Sequence, residues 1–354
     1  MTNQLTSQQV SAAQTLFQNA HHIVIVTHLS PDGDAMGSSL GMGHYLRGIG
    51  KQAQVIVPNN FPDFLKWMPG AADVMVYDGN HEACDAVLDA ADLVVCTDFN
   101  EPKRIGCLGD KLLSLNVPKL LIDHHLHPSV FADVTISYPS SPSASELVYR
   151  LIYQLHPDTT PLLSTDCATC LYTGMMTDTG NFSFNSNYPE MYEIVGNLVS
   201  LGVDKDKVYN AVFNAYSADR MRLMGYCLYQ KMRIFPEYHT ALIYLSRKEL
   251  YRFNFQSGDA EGIVNLPLQI KDVYYSCFMR EDKVAPSEVA VAGGSKSKIK
   301  ISLRSQGNRP VNVFAHDIFG GGGHANASGG EFYGPLASAV QHFLDNYPRY
   351  FSRE

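Results

Sequence analysis

The chain is punctuated by short runs of β-branched and aliphatic residues that end abruptly in acids or histidines. His22-Ile-Val-Ile-Val-Thr27 comes first, followed by Ala53-Gln-Val-Ile-Val57, Asp73-Val-Met-Val-Tyr77, Asp92-Leu-Val-Val-Cys-Thr-Asp98, Lys119-Leu-Leu-Ile-Asp123 and residues 133–137. Runs so short and so continuously apolar read as strands buried on both faces, as in a parallel sheet. Between them the apolar spacing turns helical. Residues 7–20 carry Val10, Leu16 and Phe17 with Thr6 or Ser7 as N-cap, and Ala35–Leu40 opens a helix that stops near Gly48 and Gly50. Helical spacing returns over 81–90, 103–115, 143–156 (Ser141 or Ser143 as cap) and 164–176. Strand alternating with helix predicts α/β architecture, a doubly wound and mostly parallel sheet.

Residues 188–232 are mostly helical in pattern, interrupted at Gly202. After Pro236 the texture changes: 239–245, 273–280 and 298–304 read as strands, with helical spacing near 247–252, 310–318 and 335–346. A smaller α/β C-terminal domain is therefore expected, joined to the first by a helical linker. The expected limits are 1–190 for the first domain, 191–235 for the connector and 236–354 for the second.

At 354 residues the chain is too long for one ordinary core, and at 45% hydrophobic and 18% charged it has material for two and no signature of disorder. The net charge of −8 and pI near 5.9 argue against broad binding of long nucleic acid, which needs basic surface. A small anionic ligand held by a few cations fits that balance. Seven cysteines without regular spacing make no disulfide framework, and Cys167-x-x-Cys170 lies in a helical stretch, where its thiols read as core. No charged leader precedes an apolar run at Met1–Leu5, and no apolar segment reaches membrane-spanning length. A soluble protein of a reducing, cytoplasmic compartment is the expectation.

The chemistry-bearing residues sit where the apolar runs stop. His28, Asp32 and Asp34 follow the first strand, and Asp98 ends a later one. Asp123, His124 and His125 close the 119–123 run, and Asp178 ends a helix. Singly, each has a bland role: Asp32 after Pro31 suits a turn, Asp34 suits an N-cap, and histidines beside a strand end are ordinarily solvated. Together they gather at the strand ends where open α/β sheets collect ligands. Asp32, Asp34, Asp98 and Asp178 near one point would carry about −4, which two divalent cations offset. His28 and His124 add nitrogen donors. Such an oxygen and nitrogen shell suits Mn²⁺ first, with Mg²⁺, Co²⁺ or Fe²⁺ as alternatives, and lacks the thiolates of structural zinc. Two ions roughly 3.5–4 Å apart favour hydrolysis of a phosphoester or phosphoanhydride.

His28-x-x-Pro31-Asp32-x-Asp34-Ala35-x-Gly37-Ser38, Asp98, Asp123-His124-His125 and Thr173-Gly174-x-x-x-Asp178-Thr179-Gly180-x-Phe182 resemble the DHH phosphoesterase family. Gly320-Gly-Gly-Gly-His324-Ala-Asn-Ala-Ser328-Gly-Gly330 is similar to the glycine-rich motif of the DHH-associated type 1 domain. The resemblance implies one cation on His28, Asp32 and Asp98, and another on Asp34, Asp98, His124 and Asp178, with Asp98 shared. A hydroxide between the ions would be the nucleophile. Asp123 would orient the ligands, and His125 would contact the scissile phosphate and assist the leaving oxygen. Arg280, Ser302, Arg304, Gly321, Gly322, Gly323 and His324 would hold substrate, the glycines through backbone N–H groups unless the run is a flexible linker. Two-domain members of this length look most like the nanoRNase/pAp phosphatase group, which hydrolyses very short oligoribonucleotides and 3′-phosphoadenosine 5′-phosphate (pAp). Short RNA or small nucleotides are thus the expected partners, without long nucleic acid or membrane, and a homodimer is compatible with that reading. A cyclic or linear dinucleotide phosphodiesterase shares nearly every motif, and a non-catalytic nucleotide-sensing module is the alternative of another class.

Overall fold

A computed structural model describes residues 5–156, 163–256, 258–284 and 297–351, so the expected outer domain limits at 1 and 354 lie outside the described residues. The chain divides into two compact units between Ala215 and Tyr216.

Unit 1 contains β1 (His22–Val26), β2 (Gln52–Val57), β3 (Met75–Val76), β4 (Leu93–Thr97), β5 (Lys119–Asp123) and β6 (Val134–Ser137). They form one sheet in the order β3-β2-β1-β4-β5-β6, with every pairing parallel. Its helices are α1 (Ser7–Asn19), α2 (Gly33–Gly48), α3 (His81–Asp89), α4 (Cys107–Ser114), α5 (Ala144–Leu155), α6 (Thr165–Asp178), α7 (Pro189–Ser200) and α8 (Lys205–Phe213). Strand alternation divides the apolar residues between two cores. Ile23, Ile25, Val95, Leu120 and Ile122 pack with residues of α1, α2 and α5–α8. Val24, Val26, Val94, Cys96 and Leu121 pack with those of α3 and α4 on the opposite face. Such double burial explains why the strand runs read as continuously hydrophobic. Strand order reverses between β1 and β4, and ligands of open α/β sheets collect outside the carboxyl ends at such a point.

α2 crosses α6 closely because glycine removes the side chain at successive contacts. A Cβ at Gly37 would lie 2.7 Å from Cys170 O and from Gly174, and one at Gly33 would lie 2.3 Å from Thr177 Oγ1. Helix-interior glycine costs about 1 kcal/mol relative to alanine, so close backbone approach is what these positions gain. Cys167 and Cys170 face this contact as buried free thiols, their Sγ atoms 3.1 and 3.5 Å from Gly41 O and Pro69 O. Burial pushes the Cys167 thiol up to about 12, so neither spacing nor chemistry makes this pair a metal clip.

Unit 2 has α9 (Ala218–Tyr226), β7 (Arg233–Phe235), β8 (Thr240–Leu245), α10 (Arg247–Arg252), β9 (Tyr275–Lys283), β10 (Ser297–Ser305), α11 (Asn312–Phe319), β11 (Gly322–His324), β12 (Ala327–Tyr333) and α12 (Leu336–Asn346). The sheet runs β11-β12-β10-β9-β8-β7; β8 and β9 are parallel and the other pairs antiparallel. Ile299, Ile301 and Leu303 of β10 pack with Phe314 of α11 and Phe343 of α12. The alternate β10 residues, Lys300, Ser302 and Arg304, stay partly exposed.

Several local expectations shift. The helical connector expected over 191–235 is shared out: Met191, Ile194, Val208 and Val212 join the unit 1 core, whereas Leu223 and Cys227 join a core of unit 2. Each of these helices has an apolar face to bury, so none stands apart as a linker. The helix expected over 103–115 is a 3-10 turn (Pro102–Ile105) and then α4, separated by Gly106 at φ 59°. The 73–77 strand shrinks to Met75–Val76, because Ala71–Asp73 forms a 3-10 turn. No described helix is long and apolar enough to cross a membrane.

Candidate metal centre

The loop after β1 delivers His28, which is buried. Its Nδ1 lies 2.9 Å from Leu29 O and must donate to it, since a carbonyl only accepts. The neutral ring then carries its lone pair on Nε2, 3.6 Å from Asp32 Oδ2 and 3.4 Å from Asp98 Oδ2. Asp32, not Asp34, is the N-cap of α2: its Oδ1 accepts from Asp34 N and Ala35 N, both at 3.0 Å. Capping thus occupies one oxygen and leaves Oδ2 facing the histidine. Gly33 sets the two acids apart in the first turn. Asp34 reaches the N-terminus of α5, where Ala144 N and Ser145 N donate to it at 2.6 and 3.0 Å. That is a favourable place for an anion.

Asp98 follows β4 at φ 64°, a left-handed conformation that costs a non-glycine residue about 1–2 kcal/mol. Its amide is held by Ile122 O of β5 at 3.0 Å. The carboxylate stands between two groups: Oδ2 faces His28, and Oδ1 lies 3.2 Å from His124 Nε2. His124 Nδ1 donates to Ser141 O at 3.1 Å, so its Nε2 again carries the lone pair, aimed at Asp98, Asp34 Oδ2 (3.8 Å) and Asp178 Oδ2 (3.4 Å). Asp98 Oδ1 is accordingly buried without a hydrogen-bond donor. Asp178 is the last residue of α6, one turn beyond the α2 crossing.

Lone pairs of imidazole and carboxylate converging in a largely buried site repel one another, so a proton or a cation must lie among them. The titration directions express this demand. Burial would depress the His28 imidazole, but Asp32 and Asp98 overcome it and raise it to about 10. His124 is raised well above the usual imidazole range, Asp98, Asp178 and Asp34 outweighing its burial. Burial and the Asp98 charge push Asp34 up to about 7, and Asp178 rises well above the usual carboxylate range from burial despite His124. Asp98 stays well below that range despite its burial, because His124 and His28 hold it there. His28, Asp32 and Asp98 form one group whose ligand-type atoms lie within 4.8 Å of one another, and Asp34, Asp98 and His124 form a second. Oxygen and nitrogen donors without protons between them fit hard or borderline divalent cations.

Asp123 holds His125. Its Oδ1 accepts from His125 Nδ1 at 2.7 Å and its Oδ2 from His125 N at 3.1 Å. Two features were invisible in sequence spacing. Arg104, in the 3-10 turn, places Nη2 3.3 Å from His125 Nε2. Glu146, fully buried, accepts from Ser141 Oγ at 3.2 Å, Tyr188 OH at 2.6 Å and Arg150 Nε at 2.6 Å, which steadies the Ser141 turn that holds His124. Ser143-x-x-Glu146 looks like a capping box, but only Ser143 caps, accepting from Glu146 N at 3.1 Å.

The unit 2 residues singled out from sequence lie on β9, β10 and the β11–β12 hairpin. Arg280 pairs with Lys300 across β9 and β10, and Ser302 and Arg304 follow at alternate positions on the same face. Lys300 was missed, although period two along the strand places it there. Burial and Arg280 lower its ammonium from the usual range. The glycine run is no linker. Gly320 ends α11 at φ 59°, Gly321 N donates to Ala315 O at 3.0 Å, and Gly322–His324 pairs with β12. A Cβ would sit 1.9 Å from Gly329 O at Gly321 and 2.6 Å from Ala327 O at Gly323, so these two are glycine for close packing. The Gly321 N–H is therefore committed within the fold.

The DHH family, N-terminal domain, matches residues 22–175. A bifunctional oligoribonuclease and PAP phosphatase NrnA of Thermus thermophilus is 28% identical over 326 residues, 91% of this chain and 88% of that protein. The crystal structure of an exopolyphosphatase-related protein from Bacteroides fragilis superposes with a TM-score of 0.89 at 46% identity, covering 99% of this chain and 98% of that one. A cyclic-di-AMP phosphodiesterase PdeA of Listeria monocytogenes is 23% identical over 90% of this chain but only 46% of its own length.

Proposed function

Because the chain belongs to the DHH phosphoesterase family, we propose that it hydrolyses very short oligoribonucleotides to mononucleotides and pAp to AMP with two divalent cations. The carrying observation is Asp98, whose two carboxylate oxygens face two separate histidine–aspartate groups. His28, Asp32 and Asp98 would hold one ion; Asp34, Asp98, His124 and Asp178 would hold the other. Mn²⁺ is the favoured metal for this mixed shell, ahead of Mg²⁺, Co²⁺ and Fe²⁺. When bound, such a pair supplies Lewis acidity, acidifying a coordinated water and offsetting charge on phosphoryl oxygens.

The chain's own groups do the rest. Asp123 fixes the His125 ring through its Nδ1 proton and leaves Nε2 facing the site, where a second proton, taken up from water, would pass to the departing ribose oxygen. In unit 2, Arg280, Ser302, Arg304 and His324 hold the nucleotide, with Gly322 and Gly323 bordering it. An acidic protein with a few placed cations suits substrates of a few nucleotides rather than long strands. The relatives named for oligoribonuclease and PAP phosphatase activity match along most of their length, which favours this reading over cyclic-di-AMP hydrolysis. Product analysis with Mn²⁺ tests it on RNAs of about two to five nucleotides, pAp, linear and cyclic di-AMP, and pyrophosphate. Mononucleotides from short RNA and phosphate from pAp are expected. Turnover of dinucleotide messengers alone would move the site to messenger degradation, and silence on all substrates with metal bound would make it a sensing module.

A further inference from the structure

Arg104 lies at the edge of the acid cluster with its side chain half-buried. His125 Nδ1 donates to Asp123, so Nε2 is the acceptor and Arg104 Nη2 the donor at 3.3 Å. A guanidinium carries five N–H donors in a planar fork. Among the described residues this imidazole is its side chain's only acceptor, and no carboxylate stands within ion-pair distance. The backbone around it is fixed independently of that side chain. Leu29 N donates to Arg104 O at 2.8 Å and Arg104 N to Glu101 O at 3.0 Å. The turn that ties down the His28 loop thus also aims an unsatisfied cation at the atom assigned to the leaving group.

We infer that Arg104 is a phosphate-binding residue of this site, an inference that rests on the phosphoesterase reading above. Without substrate, its guanidinium occupies His125 Nε2. With substrate, it takes non-bridging oxygens of the scissile phosphate and vacates Nε2, which takes up a proton from water and gives it to the leaving oxygen. A planar fork matches two phosphate oxygens where an ammonium offers a point charge, which is the reason for arginine here.

The test compares wild-type protein with Arg104→Ala and Arg104→Lys, each loaded with Mn²⁺, on pAp and a two-nucleotide RNA. Calorimetric binding of inorganic phosphate, Mn²⁺ content and Tm are measured alongside. Arg104→Ala is expected to lower kcat/KM on the order of 10²–10³-fold and to weaken phosphate binding, with Mn²⁺ content and Tm unchanged. Arg104→Lys should regain part of the loss, and free guanidinium should restore Arg104→Ala saturably without stimulating the wild type. Near-normal turnover and phosphate affinity in Arg104→Ala would overturn the inference, as would loss of Mn²⁺ or a lowered Tm in both variants. An inactive wild type would instead overturn the phosphoesterase reading itself, so the two failures are told apart.

Discussion

At the carboxyl ends of β1, β4 and β5 the polar groups are acids and imidazoles, most of them buried, each pinned by a different element. The polar face of β10 in unit 2 carries partly exposed cations, and one strand supplies three of its polar side chains. In the first region the backbone of α5 holds Asp34, the helix cap holds Asp32, a left-handed residue carries Asp98, and the Ser141 carbonyl turns His124. In the second, alternation alone brings Lys300, Ser302 and Arg304 to one face, with Arg280 across the pair. The two regions therefore tolerate damage differently. A cluster assembled from many elements around a charge deficit works as a unit and fails as one. A face built by period two loses its contacts one at a time.

The largest effect should follow from Asp98→Asn, which keeps the shape and removes the shared charge. Turnover of pAp is expected to fall about a thousandfold or more; steady-state kinetics reads this, and a mild loss would break the contrast. In unit 2, Arg304→Ala should raise KM for a two-nucleotide RNA roughly 10–100-fold, the loss of one charged hydrogen bond, while Mn²⁺ content holds. A variant that sheds metal would erase the division of labour.

Packing under the cluster gives a smaller, separable effect. Gly37→Ala forces a Cβ against Cys170 O and Gly174 and should cost about 1–3 kcal/mol in a urea titration. Gly48→Ala meets open space at the end of the same helix and should gain up to about 1 kcal/mol. The mildest effect is on pH. His28 is raised from 6.5 to about 10, so the stability its proton gives the metal-free fold is complete below pH 6.5 and lost as pH rises through about 10. Tm of metal-free protein should decline across that range, and Mn²⁺ should flatten the decline by supplying the positive charge instead.

Much of this was legible in the sequence because parallel strands buried on both faces announce themselves as apolar runs, and the residues that stop such runs lie at the ligand-binding edge. His28, Asp98, His124 and His125 were found that way. Asp178 was found at a helix end, although the helix reaches through it rather than stopping short of it. Other features had no local signal. Arg104 sits in a 3-10 turn without periodicity, and its meaning depends on the position of His125. That Asp123 holds His125 had no local signal either, because a bond between neighbours two residues apart depends on the turn between them. The glycines of α2 read as helix weaknesses until α6 is packed against them. The run at Gly320–Gly323 looked like a cradle or a linker, and only strand pairing shows it to be a tight hairpin.

The strand-end cluster is proposed as a two-cation site shared through Asp98. Calorimetric Mn²⁺ titration of the wild type and Asp98→Asn, with bound metal counted by elemental analysis, tests it most directly. About two ions per wild-type chain are expected, with a loss at both positions in the variant, because each group loses the same ligand. A wild type that binds one ion or none, or a variant that still binds two with unchanged affinity, would contradict it.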